Sequence, residues 1–317
     1  MKVSVIIPAY NAEQYIARTI ESCLRQTSLP DEIIVADDGS TDRTAEVAAN
    51  FPEPVRVIRL GTNCGLSAAR NRAVEASTGD WLAFLDADDW FFPEKFELQR
   101  KCIRDNPHAV LHYSGFRMIP VNGPEEDVIA LPPSELGRIL RFRNPLFVGS
   151  VMLRRDAFDA VGGFDQMYRS AEDWDLWLRI VERFSPAAFA AVPKPLCAYR
   201  RVAGSLSSKA MFLLELRHSI IENRSLHGTS GVSRFLLHRK IEAFNYFDTA
   251  IAVREAGSAE YAGLILKSLA LWPLPNKMLP IERYKIAAIM FMQHCGWWPN
   301  PFAPESKHPD GHRDING

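Results

Sequence analysis

The ten residues from 81 to 90, WLAFLDADDW, carry three carboxylates directly after an apolar run. Five apolar residues in succession predict a buried strand. Carboxylates at the end of such a strand are costly, because a charge taken out of water must be paired. A divalent cation removes that cost, since Mg²⁺ is usually held by one or two carboxylates together with substrate phosphates. We therefore predict that Asp86 and Asp88 end a central strand and hold a metal ion with a diphosphate. A plain acidic turn is the alternative.

The elements around this stretch alternate between strand and helix. The predicted strands are residues 3–7, 32–36, 55–58 and 81–85, and the predicted helices are one after residue 11, one at 41–49 and one at 66–76. Asn11, with Gln14 three residues later, predicts a capping box for the first helix. Strands and helices in alternation predict parallel β-α-β units with right-handed crossovers. We therefore expect an α/β fold with a Rossmann-like, mainly parallel sheet and flanking helices.

Polar side chains follow three of these strands. Tyr10 follows the first strand, Asp38 the second, and Asp86 and Asp88 the fourth. In open sheets of this kind, ligands bind beyond the carboxyl ends of the strands. We expect these side chains at one edge of the sheet, and three such insertions at one edge are hard to explain as surface turns.

The segments SVIIPAYN, DDGSTD, GLSAARN and LDADD, in this order, resemble the inverting family 2 glycosyltransferases of bacterial polysaccharide synthesis, which have the A-type glycosyltransferase fold. The resemblance covers about residues 3–205, and the ordered set is far more specific than any one segment. Neither G-x-G-x-x-G nor G-x-x-x-x-G-K-[ST] occurs, which argues against the commonest dinucleotide and triphosphate loops.

The resemblance implies a nucleotide-sugar donor at the carboxyl edge. Asp88 would ligate Mg²⁺ or Mn²⁺, and Asp86 would contact the ribose or share the metal through water. Asp38 would accept a hydrogen bond from uracil or ribose. Arg70 would support the nucleotide, with a structural ion pair as the alternative. The full set that we expect at the donor is Pro8, Ala9, Tyr10, Asp38, Arg70, Asp86, Ala87, Arg200 and Arg201.

The segment EDWDLWLR, residues 172–179, predicts a helix with acids in its first turn, where they suit the helix dipole. It also resembles the family segment that holds the catalytic base, and Asp173 matches that base. Asp173 would take the proton of the acceptor hydroxyl during a direct displacement that inverts the anomeric centre. Residues 198–207 resemble a segment that closes over the donor diphosphate; a plain basic loop is the alternative. Which of Arg200 and Arg201 reaches phosphate is left open.

From residue 209 onward the composition favours helices. We predict helices at 209–226, 231–256, 258–271 and 281–294, in antiparallel pairs, and a disordered tail at 303–317. The predicted division is a nucleotide-sugar-binding half at 1–105, an acceptor-binding half at 106–207, and a helical extension at 208–302. Residues 286–298 are expected to pack in a core. Peripheral contact with a membrane surface or a protein is the alternative.

The composition bounds the class of protein. The 317 residues include 37 basic and 38 acidic side chains, so no basic excess points to nucleic acid. Five scattered cysteines without a C-x-x-C pair are compatible with a reducing cytosol. We see no signal peptide and no membrane-spanning run, and we expect a cytoplasmic protein, with the inner face of the membrane as its place if the extension makes peripheral contact.

The expected function is transfer of a sugar from a nucleotide diphosphate sugar, by family analogy a UDP-sugar, to a saccharide or lipid-linked acceptor. A sugar-phosphate nucleotidyltransferase would need basic residues after the first strand, where this chain has Pro8-Ala9-Tyr10-Asn11. A processive membrane synthase would need membrane helices and a Q-x-x-R-W segment. The remaining alternative is a catalytically weak nucleotide-sugar-binding scaffold that uses its helical tail to bind partners.

Overall fold

The computed structural model describes residues 1–201, 210–255 and 258–294. The strands of these residues form one mixed sheet in the order β3-β2-β1-β4-β8-β6-β9-β5, with β7 paired to β6. They are β1 Val3–Ala9, β2 Glu32–Asp37, β3 Val55–Arg59, β4 Trp81–Phe84, β5 Trp90–Phe91, β6 Leu111–Ile119, β7 Glu126–Val128, β8 Val151–Arg154 and β9 Phe189–Arg200. The helices are α1 Ile16–Leu24, α2 Thr44–Ala49, α3 Leu66–Glu75, α4 Lys95–Asp105, α5 Pro133–Leu140, α6 Arg155–Ala160, α7 Glu172–Arg183, α8 Ala210–Ile220, α9 Gly231–Glu255, α10 Tyr261–Leu271 and α11 Glu282–His294.

The first four strands are parallel to one another. β1 lies between β2 and β4, and β3 pairs with β2. All seven residues of β1 are buried, as expected for an apolar strand that is covered on both faces. The predicted alternation of strand and helix, and with it the α/β fold class, is confirmed.

The start of α1 differs from the prediction. The helix begins at Ile16, and the residue at its N-cap, Tyr15, makes no side-chain capping bond. Asn11 lies before the helix at a positive φ of 50° and its Oδ1 accepts a hydrogen bond from the backbone N of Thr41, at 2.8 Å. The predicted capping box is therefore wrong, because Asn11 joins the loop after β1 to the loop after β2.

The antiparallel pairs of the sheet involve the strands after β4. β8 runs antiparallel to both β4 and β6, β7 runs antiparallel to β6, and β5 runs antiparallel to β9. Residues 120–133 contain β7, and α5 begins at Pro133. Residues 121–127 are exposed, so β7 is a short exposed strand that pairs with β6.

The chain forms two compact units, Met1–Ile241 and Glu242–Gly317. The predicted halves 1–105 and 106–207 share one sheet in the first unit, and their boundaries, like those of the extension, stay predictions. In the second unit Ser268 Oγ of α10 donates to the carbonyl of Ala243, in the middle of α9, at 2.6 Å. Arg283 is fully buried and its Nη1 donates to the carbonyl of Trp272 at 3.0 Å.

The helices predicted after residue 209 are present as α8 to α11, which confirms the helical extension. In α11, Ile286 is buried, whereas Phe291 is 63% exposed. Core packing therefore describes only part of residues 286–298, and Trp297 and Trp298, like the tail 303–317, lie outside the described residues. Among the helices that the structure describes, none has both the length and the apolar character to cross a bilayer.

Candidate active site

The acidic turn after β4 is held in place by α1. Thr19 Oγ1 lies 2.7 Å from the carbonyl oxygen of Ala87 and 2.8 Å from that of Asp89. The backbone N of Asp89 donates to the carbonyl of Asp86 at 3.1 Å, which closes the turn. The turn therefore projects from the carboxyl end of a central strand with its backbone fixed on both sides.

The side chains of the turn have different environments. Asp88 is half-buried, and within the described ranges it receives no hydrogen bond from another residue. Burial and the neighbouring Asp86 carboxylate raise the pKa of Asp88 to about 6. Asp89 is 1% exposed; its burial, Asp88 and Asp86 raise its pKa well above the usual value. Among the acids of the turn, Asp88 is thus the one that is partly accessible and has no hydrogen-bond donor from another described residue.

Arg70 of α3 joins this turn to α7. Its Nη2 lies 2.5 Å from Asp86 Oδ1, and its Nη1 pairs with Glu172 Oε1. The guanidinium carbon lies 5.2 Å from the centre of the Phe164 ring, and the side chain is 1% exposed. Burial alone would lower the pKa of Arg70, but the Asp86 and Glu172 carboxylates outweigh it and raise the pKa above its ordinary value. Arg70 thus makes the ion pair that was the alternative to nucleotide contact.

Asp173 lies in the first turn of α7, next to this ion-pair network. The helix starts after Ala171, which adopts the left-handed conformation with φ 58°. A residue with a Cβ rarely adopts that conformation, and such strain is concentrated at functional sites. Ala171 therefore sets the angle at which Glu172 and Asp173 enter the edge of the sheet.

The carboxylate of Asp173 has two hydrogen-bond donors. Asn144 Nδ2 donates to Asp173 Oδ2 at 2.8 Å, and the backbone N of Trp174 donates to Oδ1 at 2.8 Å. Burial and the charge of Glu172 raise the pKa of Asp173 to about 7, although Arg70 and the Trp174 N–H oppose the rise. A carboxylate that titrates near neutral pH is suited to accept a proton from a hydroxyl.

Asp38 follows β2 and is 3% exposed. Its Oδ1 accepts a hydrogen bond from the backbone N of Cys64 at 2.7 Å, and its Oδ2 accepts one from the backbone N of Gly65 at 2.9 Å. Gly65 has a φ of 92° and directly precedes α3, the helix that carries Arg70. Asp38 therefore fixes the entry to α3, and its predicted contact with uracil or ribose stays a prediction.

The other residues that were predicted to contact the nucleotide-sugar donor differ in their solvent exposure. Pro8 and Ala9 are buried in the last two positions of β1, and Tyr10, directly after the strand, is 48% exposed. Ala87 is 8% exposed within the acidic turn. Of this group, Tyr10 presents the largest accessible surface at the carboxyl edge.

Arg200 and Arg201 at the end of β9 lie in different surroundings. The backbone N of Arg200 donates to Asp89 Oδ1 at 2.6 Å. Its guanidinium carbon lies 5.1 Å from the centre of the Trp90 ring and 5.2 Å from that of Tyr15. Arg201 is exposed. Arg200 is thus the arginine next to the acidic turn.

Three residues of this site were not predicted from the sequence. Glu172 was considered only for its effect on the helix dipole, and its neighbour Asp173 was the available signal. Asp89 was seen in the acidic run, but its bond to β9 was not. Asn144 had no signal, because a single asparagine between two elements is common.

A metal site made by the protein alone is absent from the described parts of the chain. Among them no group of three or more His, Cys, Asp or Glu side chains is arranged to hold a metal ion. Two carboxylates at Asp86 and Asp88 fit a Mg²⁺ or Mn²⁺ ion that takes its other ligands from phosphates and water. These two carboxylates therefore suit an ion that binds together with a diphosphate.

Comparison with known proteins identifies the family of this chain. The family model for glycosyl transferase family 2 matches residues 4–169, just over half of the chain. The chain belongs to this family. An uncharacterized glycosyltransferase of Haemophilus influenzae is 33% identical over 65% of this chain and 71% of its own length. The putative teichuronic acid biosynthesis glycosyltransferase TuaG of Bacillus subtilis is 32% identical over 65% of this chain and 81% of its own length.

Solved structures share the fold. TarS of S. aureus, residues 1–349 in complex with UDP-GlcNAc, superposes with a TM-score of 0.60 at 20% identity, over 94% of this chain and 88% of that one. The mannosyltransferase PcManGT from Pyrobaculum calidifontis, in complex with GDP-Man and Mn²⁺, superposes with a TM-score of 0.56 at 18% identity, over 90% and 83%. The A-type glycosyltransferase fold is therefore confirmed.

Proposed function

We propose that this protein is an inverting glycosyltransferase that moves a sugar from a nucleotide diphosphate sugar to an acceptor hydroxyl. The observation that carries this proposal is the pairing of Arg70 with both Asp86 and Glu172. Arg70 and Glu172 are 102 residues apart in the chain, and their contact brings the acidic turn and Asp173 to one edge of the sheet. A donor loop and a base on one edge are the two parts that the reaction needs.

In this proposal Asp173 is the general base. Its carboxylate takes the proton of the acceptor hydroxyl while the hydroxyl oxygen attacks the anomeric carbon. The bond from that carbon to the diphosphate breaks in the same step, and the nucleotide diphosphate leaves with the electron pair. Attack from the face opposite the leaving group inverts the anomeric centre, and no protein nucleophile is required.

We propose a UDP-sugar as the donor and Mg²⁺ or Mn²⁺ as the cofactor. Asp88 and Asp86 would hold the ion together with the donor diphosphate, and the ion would neutralise negative charge there. Arg200 would contact the diphosphate, and Tyr10 would contact the nucleobase of the donor. The UDP-GlcNAc complex of TarS and the complex of PcManGT with GDP-Man and Mn²⁺ support a nucleotide-sugar and a divalent ion.

We propose that the acceptor is a saccharide or a lipid-linked saccharide in polysaccharide or glycoconjugate synthesis. The name of the relative TuaG, which refers to teichuronic acid biosynthesis, supports this assignment. We also propose that the protein is located in the cytoplasm. Its C-terminal helices would make peripheral contact with the inner face of the membrane or with a protein. Exposed apolar side chains in the second unit, Leu266 and Phe291 among them, support such a contact.

The test measures the turnover of a panel of UDP-sugars with Mn²⁺, and the release of UDP is the quantity that is monitored. We expect Asp173→Asn to lose more than about 100-fold in turnover while UDP binds within about threefold of the wild type, because a base contributes roughly 10²–10⁴-fold. Asp88→Ala should remove the Mn²⁺-dependent part of UDP affinity measured by calorimetry. The control Asp159→Asn, an exposed acid of α6, should change neither quantity.

Two outcomes would contradict the proposal. Wild-type turnover by Asp173→Asn would show that Asp173 is not the base. A protein that binds nucleotide-sugars without turning any of them over would instead be the scaffold that the sequence left as an alternative.

A further inference from the structure

A short segment between α5 and β8, residues 144–147, borders the proposed base. Asn144 Nδ2 donates to Asp173 Oδ2 at 2.8 Å. The oxygen of the same amide accepts a hydrogen bond from the backbone N of Leu146, at 3.1 Å. With its oxygen engaged by Leu146, the amide directs its NH₂ group at Asp173. The contact is therefore built into the local turn.

The other end of the segment carries an aromatic ring. The Phe147 ring centre lies 4.9 Å from that of Tyr199, with 34° between the planes, and 5.5 Å from that of Phe116. All three residues are half-buried, so each retains accessible surface. Tyr199 directly precedes Arg200, whose backbone N bonds to Asp89 beside the acidic turn. The segment therefore connects the proposed base to the strand that ends at the proposed donor loop.

Resting on the proposed function, we infer that segment 144–147 forms the acceptor side of the site. Asn144 is a positioning residue that orients the Asp173 carboxylate, and Phe147 packs against a sugar ring of the acceptor. The ligand class is thus a saccharide that presents one of its ring faces to an aromatic side chain.

The chemistry of the two side chains matches a saccharide. One face of a pyranose carries C–H groups with slight positive charge, and the face of an aromatic ring is negative, so the two surfaces attract. Small-molecule sites commonly combine aromatic walls with a few placed polar groups. Phe147 lies three residues after Asn144, the residue that donates to Asp173.

An amide is also the appropriate partner for a base. Its N–H stabilises the ionised form of Asp173 without supplying a second charge, and this favours the state that accepts a proton. A carboxylate at position 144 would have the opposite effect, because like charges disfavour ionisation. The pH dependence of the reaction therefore reports on this contact, whereas a purely structural role of Asn144 does not change it.

The first experiment measures kcat/KM against pH for the wild type, Asn144→Ala and Asn144→Asp. The donor is the one selected by the UDP-sugar panel, and the acceptors are p-nitrophenyl pyranosides. We expect the acidic limb to move up by about 0.5–1 pH unit in Asn144→Ala and further in Asn144→Asp, a loss of roughly 3- to 10-fold at pH 6.5. UDP affinity should stay within about twofold. An unmoved limb, or a loss that is uniform across pH, would overturn the role of Asn144.

The second experiment compares Phe147→Leu with Phe147→Tyr. Phe147→Leu should raise the KM for the pyranoside at least about fivefold, because leucine offers no aromatic face to the sugar ring. Phe147→Tyr keeps the aromatic face and should restore the KM. Equal effects of both variants, or an unchanged KM in Phe147→Leu, would overturn the role of Phe147.

The two proposals fail in different ways. If Asp173→Asn loses turnover while Asn144→Ala and Phe147→Leu behave as the wild type, the assignment of Asp173 as the base is kept. The assignment of segment 144–147 to the acceptor side is then wrong. Donor hydrolysis by the wild type without transfer to any pyranoside also counts against a saccharide at Phe147. If Asp173→Asn keeps wild-type turnover, the proposed function itself has failed.

Discussion

At the scale of single residues, the site depends on a buried arginine side chain. Arg70 is 1% exposed and balances Asp86 and Glu172, two carboxylates from distant parts of the chain. A buried ion pair is weak evidence for stability, because desolvation offsets much of the attraction. Removing one partner is a different matter, since it leaves the other charges buried and unpaired. Arg70 is therefore needed to keep the acidic turn and α7 close together.

We predict that Arg70→Met lowers the free energy of unfolding by about 3–5 kcal/mol, measured by urea denaturation at pH 7.5. The matched control is Arg72→Met on the same helix, which removes an exposed pair with Glu75 and should cost about 0–1 kcal/mol. Similar losses for the two variants would mean that the buried pairs do not hold these elements together.

At the scale of elements, α7 owes its direction to one strained residue. Ala171 precedes the helix at φ 58°, and the backbone N of Asp175 donates to its carbonyl at 3.2 Å. The left-handed conformation costs a residue with a Cβ about 1–2 kcal/mol. The rest of the helix compensates, with Trp174 and Trp177 buried on its inner face. The position of Asp173 is thus maintained against a local preference.

We predict that Ala171→Gly raises the free energy of unfolding by about 1 kcal/mol, because glycine adopts this conformation without a steric cost. Thermal and urea unfolding would both measure the change. Ala17→Gly, in the first turn of the regular helix α1, is the control and should lose about 0.5–1 kcal/mol. If Ala171→Gly is destabilised as much as Ala17→Gly, then the backbone at Ala171 is not strained.

At the scale of the whole molecule, the Asp173 carboxyl makes the free energy of unfolding depend on pH. The pKa of Asp173 is raised to about 7 in the folded protein, from 3.8 in an open chain. A carboxyl with a raised pKa binds its proton more tightly when folded. Its contribution to stability is therefore greatest at low pH and declines as pH rises from about 4 to about 7. The same ionisation would produce the proposed base.

We predict that Asp173→Asn, which cannot ionise, is more stable than the wild type by roughly 1–3 kcal/mol at pH 7.5. The difference should shrink to about 0.5 kcal/mol at pH 4, where the folded carboxyl is protonated and the unfolded one is about half ionised, and it should disappear below about pH 3. Urea unfolding at the two pH values provides the measurement. A variant that is less stable than the wild type at pH 7.5 would contradict a raised pKa at this position.

The sequence by itself determined the fold class and the edge of the sheet at which the site lies. Alternating apolar runs and helical patterns are local, and parallel strands place their carboxyl ends together, so Asp38, Asp86 and Asp88 could be assigned to one edge. The start of α1 was mispredicted, because Asn11 bonds to Thr41, a partner that is distant in the chain.

Only the tertiary structure decided which side chains meet at that edge. The pairing of Arg70 with Glu172, the bond from Asn144 to Asp173 and the separation of Arg200 from Arg201 join segments that have no local pattern in common. Such contacts depend on how helices pack on the sheet and on which polar groups are left to be paired once water is excluded. The physical reason is that periodicity specifies the faces of an element, whereas packing selects their partners.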